Sequence, residues 1–226
     1  MSITLAFDVY GTLIDTQGVV SALQNIVGIK ADDFSRSWRD KQLEYTFRRG
    51  LMQNYENLSV CISNALDYTC DQYQIVLSTE QKFELLEIYR TLPVFKDVKQ
   101  VLLSLATASF KLYAFSNGTT EAVDRLLSNA GIKNCFINVI STDAIKTFKP
   151  NPSVYHYFLK SSGANLNNAW LISSNPFDVI GAVSAGMKAI WLKRSPQAIF
   201  DPWGLEPTIT ITSLNDIENQ IFKHSA

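Results

Sequence analysis

The stretch Ile3-Thr4-Leu5-Ala6-Phe7-Asp8-Val9-Tyr10-Gly11-Thr12 decides the fold. Ile3–Phe7 is a short apolar run that stops at a carboxylate, and a glycine turn follows. That pattern reads as a buried strand delivering Asp8 to its carboxyl end. Similar apolar runs recur at Lys111–Phe115, Phe136–Ser141, Ala169–Ser173 and Lys188–Leu192. Helical patterns lie between them, at Val98–Leu105, Thr120–Ala130, Ser153–Ser161 and Asp178–Ala185. Strands alternating with helices predict an α/β fold with a parallel sheet covered on both faces. Residues from about Thr16 to Leu92 break this rhythm. They read as helical throughout, rich in Leu, Tyr, Gln and Glu, until Pro93, Val94 and Phe95 mark a return. The expected organisation is therefore an α/β core domain (1–15 and 93–226) with an inserted helical cap domain (16–92).

Ligands of open parallel sheets bind beyond the carboxyl ends of the strands. The polar residues that follow each apolar run should converge there: Asp8, Tyr10 and Thr12; Ser116 and Asn117; Lys149; Ser173, Asn175 and Asp178. The helical insertion leaves from the same edge and can act as a lid. Within it Arg39, Leu43 and Phe47 fall on one helical face. An arginine aligned with two large apolar residues suits a guanidinium held over a dry pocket, or one whose stem covers apolar surface.

Composition narrows the function classes. The 226 residues are 46% hydrophobic, enough for a full core, and 20 basic residues face 21 acidic ones for a net charge of −1. No block of like charge stands out, so the footprint of a nucleic-acid binder is absent. An anionic ligand would be held by a few placed cations. The three cysteines, Cys61, Cys70 and Cys135, are odd in number and lack C-x-x-C spacing. They read as free thiols of a reducing, cytoplasmic setting. No apolar run approaches the ~18 residues of a membrane span. His156 and His224 belong to no motif, which argues against a His-dependent triad.

Asp8-Val9-Tyr10-Gly11-Thr12-Leu13 resembles the first motif of the haloacid dehalogenase (HAD) superfamily, whose core is a Rossmann-like parallel sheet. Ser116-Asn117-Gly118 resembles its second motif, Lys149-Pro150 its third, and Ser173-Ser174-Asn175-Pro176-Phe177-Asp178 its fourth. The order and spacing match over the whole chain. Trp38-Arg39-Asp40-Lys41-Gln42-Leu43-Glu44-Tyr45-Thr46 is similar to the lid of the L-2-haloacid dehalogenases, the type II branch. Any one motif is weak; four in order with a matching lid are specific.

The resemblance implies a two-step hydrolysis of short (S)-2-haloalkanoates to (R)-2-hydroxyalkanoates. Asp8 attacks C2 from the side opposite the halogen, and water then cleaves the ester. It further implies that Thr12 orients Asp8, that Lys149 keeps it ionised and placed, and that Arg39 attracts the departing halide. Ser116 and Asn117 would bind the substrate carboxylate. Ser173, Asn175 and Asp178 would hold the hydrolytic water or orient Lys149, and Tyr155 could hydrogen-bond near the carboxylates. Val9, Tyr10, Leu43, Leu58 and Phe177 would line the substrate site. No cofactor or metal is expected, no nucleic acid or membrane, and the assembly implied is a homodimer.

The chain departs from the branch at Asp40, where glutamine is usual, at Phe177, which replaces a larger aromatic, and at Leu58, which replaces phenylalanine. These departures leave the preferred substrate open. A phosphohydrolase on the same fold is the alternative, and a scaffold without turnover is a third. Superfamily phosphatases carry a second aspartate two positions after the nucleophile, and a Gly-Asp pair opening the fourth motif. Tyr10 and Ser173-Ser174 stand at those places, which favours the dehalogenase.

Overall fold

The apolar runs become strands because each is wide enough to be buried on both faces. In a computed structural model describing residues 2–108 and 110–225, the strands are β1 (Ile3–Asp8), β2 (Phe110–Ser116), β3 (Asn138–Ser141), β4 (Ala169–Ser173), β5 (Lys188–Leu192) and β6 (Ile209–Ile211). They form one parallel sheet in the order β3-β2-β1-β4-β5-β6. The third run is shorter than its sequence suggests: Phe136 and Ile137 belong to the approach to β3, after the turn Lys133–Cys135.

Nine α-helices accompany the sheet among the described residues. Four, α1 (Val20–Val27), α2 (Ala31–Leu51), α3 (Leu58–Tyr73) and α4 (Thr79–Ile88), follow one another between β1 and β2 with no strand among them. The others are α5 (Val98–Thr107), α6 (Thr120–Asn129), α7 (Pro152–Ser162), α8 (Pro176–Ser184) and α9 (Ile217–Ser225). Strand residues alternate between two apolar layers, as the period of two requires. Leu5, Phe7, Leu112 and Ile172 pack with Val98 and Leu102 of α5, Leu126 of α6 and Ile221 of α9. Ala6, Phe115, Leu171 and Ala189 pack with Val154 and Phe158 of α7 and Val179 of α8.

The chain departs from β1 in both directions along the sheet, to β2 on one side and β4 on the other. That makes the carboxyl end of β1 the switch point where a crevice opens. Register fixes what stands there. Asp8 pairs with Phe115, and Phe7 with Ile172, so Ser116 and Ser173 flank the carboxylate.

The helical insertion is joined to the sheet by a narrow neck. Ile14 and Val94 form an antiparallel bridge, Asp15 N–H donates to the Pro93 carbonyl at 2.8 Å, and Phe95 N–H donates to that of Leu13 at 3.1 Å. Gly18 lies against Pro93 so closely that a Cβ there would sit 2.5 Å from the proline Cδ. Gly18→Ala is expected to cost about 1–3 kcal/mol by overpacking. Urea denaturation checks this; an unchanged midpoint would mean that the neck yields freely.

Candidate active site

Four loops and one helix meet beyond β1. Asp8, the last residue of the strand, is buried, and its two oxygens have different surroundings. Oδ2 accepts from Thr12 Oγ1 at 2.7 Å, Asn175 Nδ2 at 2.7 Å and Ser173 Oγ at 3.2 Å. Among the described residues, Oδ1 accepts only from Lys149 Nζ, at 3.1 Å. The turn Gly11–Thr12 is itself held. Ser174 N–H donates to Thr12 Oγ1 at 2.9 Å, Ser174 Oγ donates to the Gly11 carbonyl at 2.6 Å, and Arg194 Nη2 donates to the Thr12 carbonyl at 2.7 Å.

Lys149 spends all three of its N–H bonds. Besides Asp8 they go to the Phe115 carbonyl at 2.9 Å and Asp178 Oδ2 at 2.8 Å, and the ammonium sits over the Phe115 ring. Burial alone would lower its pKa, but Asp178 and Asp8 outweigh that and raise it. Asp178 is pushed up to about 6, first by burial and further by Asp8, against the pull of Lys149. One ammonium cannot fully compensate two buried carboxylates. The lysine keeps its proton while Asp178 is drawn toward taking one.

Asn117 lies on the β2 side. Its Oδ1 accepts from Lys149 N–H at 2.9 Å and Thr142 Oγ1 at 3.2 Å, which fixes the amide orientation and leaves its NH₂ group as a donor. Ser116 Oγ accepts from Gly118 N–H at 3.1 Å and retains its own proton to donate. From α2 comes Arg39, whose guanidinium makes two long bonds of 3.5 Å, to the Tyr10 carbonyl and Gln42 Oε1. Phe47 packs edge-on against Phe177, 5.1 Å between ring centres, closing α2 onto the start of α8.

These groups enclose a tight cavity of about 20 Å³, lined by Asp8, Tyr10, Arg39, Gln42, Leu43, Thr46, Leu58, Ser116, Asn117, Lys149, Asn175 and Phe177. Tyr10 and Leu58 also border a second, wider cleft of about 570 Å³ between α3, α4 and the start of α6. The Tyr10 phenol is pushed up to about 12, chiefly by burial, with Arg39 opposing. Among the described residues no group of three or more His, Cys, Asp or Glu side chains is arranged to hold a metal ion.

Residues 4–186 match the family model described as haloacid dehalogenase-like hydrolase. The chain belongs to this family. It is 35% identical over 217 residues to haloacetate dehalogenase H-2 of Moraxella sp. (strain B), covering 96% of each chain. It is 32% identical to the (S)-2-haloacid dehalogenase of Pseudomonas sp. (strain YL), covering 94% of this chain and 91% of the other. Among solved structures it resembles the L-2-haloacid dehalogenase of Xanthobacter autotrophicus with chloropropionic acid covalently bound, at 27% identity and a TM-score of 0.89, covering 98% and 99% of the two chains.

Most residues expected from the sequence meet at this one place, and one, Val9, differs in position. Val9 is buried in the apolar core with Leu5 and Phe7 and is not among the residues lining the cavity. Tyr155 is fully buried behind the site; its hydroxyl donates to Asp178 Oδ1 at 2.9 Å and reaches no cavity surface. Asp178, in the first turn of α8, accepts from Lys149 at 2.8 Å. Asn175 occupies the cap position, yet its amide is diverted to Asp8 and, at 3.0 Å, to the Tyr10 carbonyl. Gln42, Thr46 and Ser174 contribute to the site without having been singled out. Gln42 and Thr46 stood in the quoted lid stretch, at positions that a surface helix would fill with similar residues.

Removing the charge of Lys149 should leave Asp8 and Asp178 buried without a cation. Lys149→Met is expected to destabilise the fold by about 3–5 kcal/mol. The sign of the pH effect follows from Asp178. Its folded pKa lies above the ordinary value near ~3.9, so its contribution to stability falls as pH rises through about 6. Protonated Asp178 needs Lys149 less, so the deficit of the variant should be smaller at pH 5 than at pH 8. Equal deficits in urea at the two pH values would count against this account.

Proposed function

We propose that the chain is a hydrolytic dehalogenase that converts short (S)-2-haloalkanoates to (R)-2-hydroxyalkanoates and halide through an ester on Asp8. The observation that carries the reading is the asymmetry of Asp8 beneath a guanidinium. Among the described residues Oδ2 is held by three donors and Oδ1 by Lys149 alone, and Asp8 lines the same cavity as Arg39. A carboxylate is a weak nucleophile in water, and enclosure with oriented partners makes it competent.

In this reading Oδ1 bonds to C2 as the carbon–halogen bond breaks, and the halide leaves with the electron pair toward Arg39 and the Asn117 amide. Backside attack inverts C2. Ser116 Oγ and the donors near it hold the substrate carboxylate. Water then adds to Cγ of the ester, and Thr12, Ser173 and Asn175 already surround the oxygen on which negative charge grows. The Cγ–Oδ1 bond then breaks with its electron pair on Oδ1, the C2–Oδ1 bond stays intact, and Oδ1 leaves as the product hydroxyl while the water oxygen remains on Asp8. One proton of the water goes to the product and one to solvent, so each turnover releases halide and a proton.

Metal independence belongs to the same reading. Lys149 already bridges the two carboxylates that a cation would otherwise need. Tyr10, with its pKa near 12, is a poor proton shuttle where a phosphatase has its second aspartate. The helices at 16–92 serve as the lid domain over a core of 1–15 and 93–226. A homodimer in the cytoplasm is the setting this reading carries, and three buried free thiols suit it.

Single turnover with excess enzyme in ¹⁸O-labelled water tests the reading. The first product hydroxyl should carry unlabelled oxygen, with label found in Asp8. Label in the product and none in Asp8 would sink the ester route. Halide release should persist in EDTA, and Asp8→Asn should abolish it.

Cavity size sets a second expectation. A cavity walled closely by Leu43, Leu58 and Phe177 is expected to favour haloacetate and 2-halopropionate over longer acids. Leu58 separates it from the wider cleft, so Leu58→Ala should shift relative kcat/KM toward 2-halobutyrate by about tenfold for the added methylene. An unchanged preference would show that Leu58 does not limit chain length.

A further inference from the structure

A halide-binding guanidinium has to remain short of negative partners, and the surroundings of Arg39 meet that requirement. Among the described residues no carboxylate forms an ion pair with it; its two bonds, both 3.5 Å, go to a peptide carbonyl and to an amide oxygen. The next residue, Asp40, faces solvent. The amide belongs to Gln42, one of the few fully buried polar side chains of α2. A buried amide must be satisfied at both ends. Gln42 Oε1 accepts from Arg39, and Nε2 donates to Tyr89 Oη at 3.0 Å.

Tyr89, just past α4, is itself anchored. Its ring lies 4.7 Å from that of Trp38, and Trp38 Nε1 donates to the Ile62 carbonyl at 2.9 Å. Burial raises the Tyr89 pKa, so the hydroxyl that meets Gln42 is neutral. The chain Trp38–Tyr89–Gln42–Arg39 therefore ties three lid helices to one guanidinium without placing a negative charge beside it.

We propose that Gln42 and Tyr89 are positioning residues that aim Arg39 at the departing halide while leaving its charge uncompensated. The inference rests on the dehalogenase reading and deepens it. A carboxylate at position 42 would aim the guanidinium equally well but cancel its charge and occupy its donors. Position and charge are thus separable by a change of one atom.

Chloride-35 line broadening at constant ionic strength reads halide binding without turnover. The proteins compared are wild type, Gln42→Glu, Gln42→Leu and Tyr89→Phe, with Arg39→Ala as the floor. Gln42→Glu should lose excess broadening by about tenfold or more, since a carboxylate beside the guanidinium removes its attraction for an anion. The same variant should lose halide release from 2-chloropropionate to a similar degree, with its melting temperature within a few degrees of wild type. Gln42→Leu and Tyr89→Phe keep the charge and lose only the aim, so they should fall between wild type and the floor. Wild-type broadening and rates in a folded Gln42→Glu would overturn the proposal. If that variant does not fold, Tyr89→Phe decides, because it keeps the ring on Trp38: wild-type broadening there overturns the proposal, and reduced broadening supports it. Wild-type protein that neither broadens chloride nor releases halide from any haloacid would remove the dehalogenase reading, and this inference with it.

Discussion

Lys149 is the point on which the site depends. A buried ammonium costs several kcal/mol to desolvate and persists only when its protons are all accepted. Here the three acceptors come from three different elements: Asp8 from the end of β1, the Phe115 carbonyl from β2, and Asp178 from the first turn of α8. The lysine therefore pins the central strand, its neighbour and the helix after β4 to one another. Two carboxylates against one ammonium leave a negative excess. Arg39, descending from the insertion, closes the cavity over Asp8 without pairing with either carboxylate among the described residues, so the site is complete only with α2 in place over the sheet.

The sheet supplies the precision that this arrangement needs. Parallel register sets Asp8 beside Ser116 and Ser173, with no freedom to slip, because a shift by one residue would exchange the two apolar faces. Side chains that elsewhere serve the backbone are redirected to the carboxylate. Asn175 stands at the cap position of α8 but donates to Asp8, leaving the first turn of that helix without its usual side-chain acceptor. Several other helices have side-chain caps: Asn57 on α3, Ser78 on α4, Thr119 on α6 and Asn151 on α7. At the start of α8 a residue type suited to capping serves the carboxylate instead.

What was legible in the sequence follows the same division. The central strands were readable because they are apolar on both faces and stop abruptly at polar residues, as at Phe7–Asp8 and Ile172–Ser173. The strand β6 was not, since three residues, Ile209, Thr210 and Ile211, give no periodicity to read. The helix α9 was hidden for a related reason, its apolar residues Ile217 and Ile221 being too few to mark a face. Motif order brought together Asp8, Lys149 and Asp178 but could not tell a residue touching the cavity from one behind it. Tyr155 therefore looked equivalent to its neighbours, although burial puts it on the far side of Asp178. Gln42 shows the converse. On a helix a glutamine between Lys41 and Leu43 reads as solvated, and only Tyr89, 47 residues away, makes it a buried amide.

The two cations of the site carry opposite electrostatic settings, and the proposed displacement needs both. As C2 is attacked, negative charge moves from Asp8 to the halogen. A cation beside Asp8 stabilises the starting carboxylate more than the transition state and so works against the rate, whereas one beside the halogen does the reverse. Lys149 is close enough to hold Asp8 in place, but its attraction is divided, because Asp178 accepts from the same ammonium at the shorter distance of 2.8 Å. Among the described residues Arg39 is under no such division, with only neutral acceptors at 3.5 Å. The second carboxylate thus weakens the hold on the nucleophile without releasing its geometry, and the absence of one near Arg39 leaves the full positive charge where the departing anion will form.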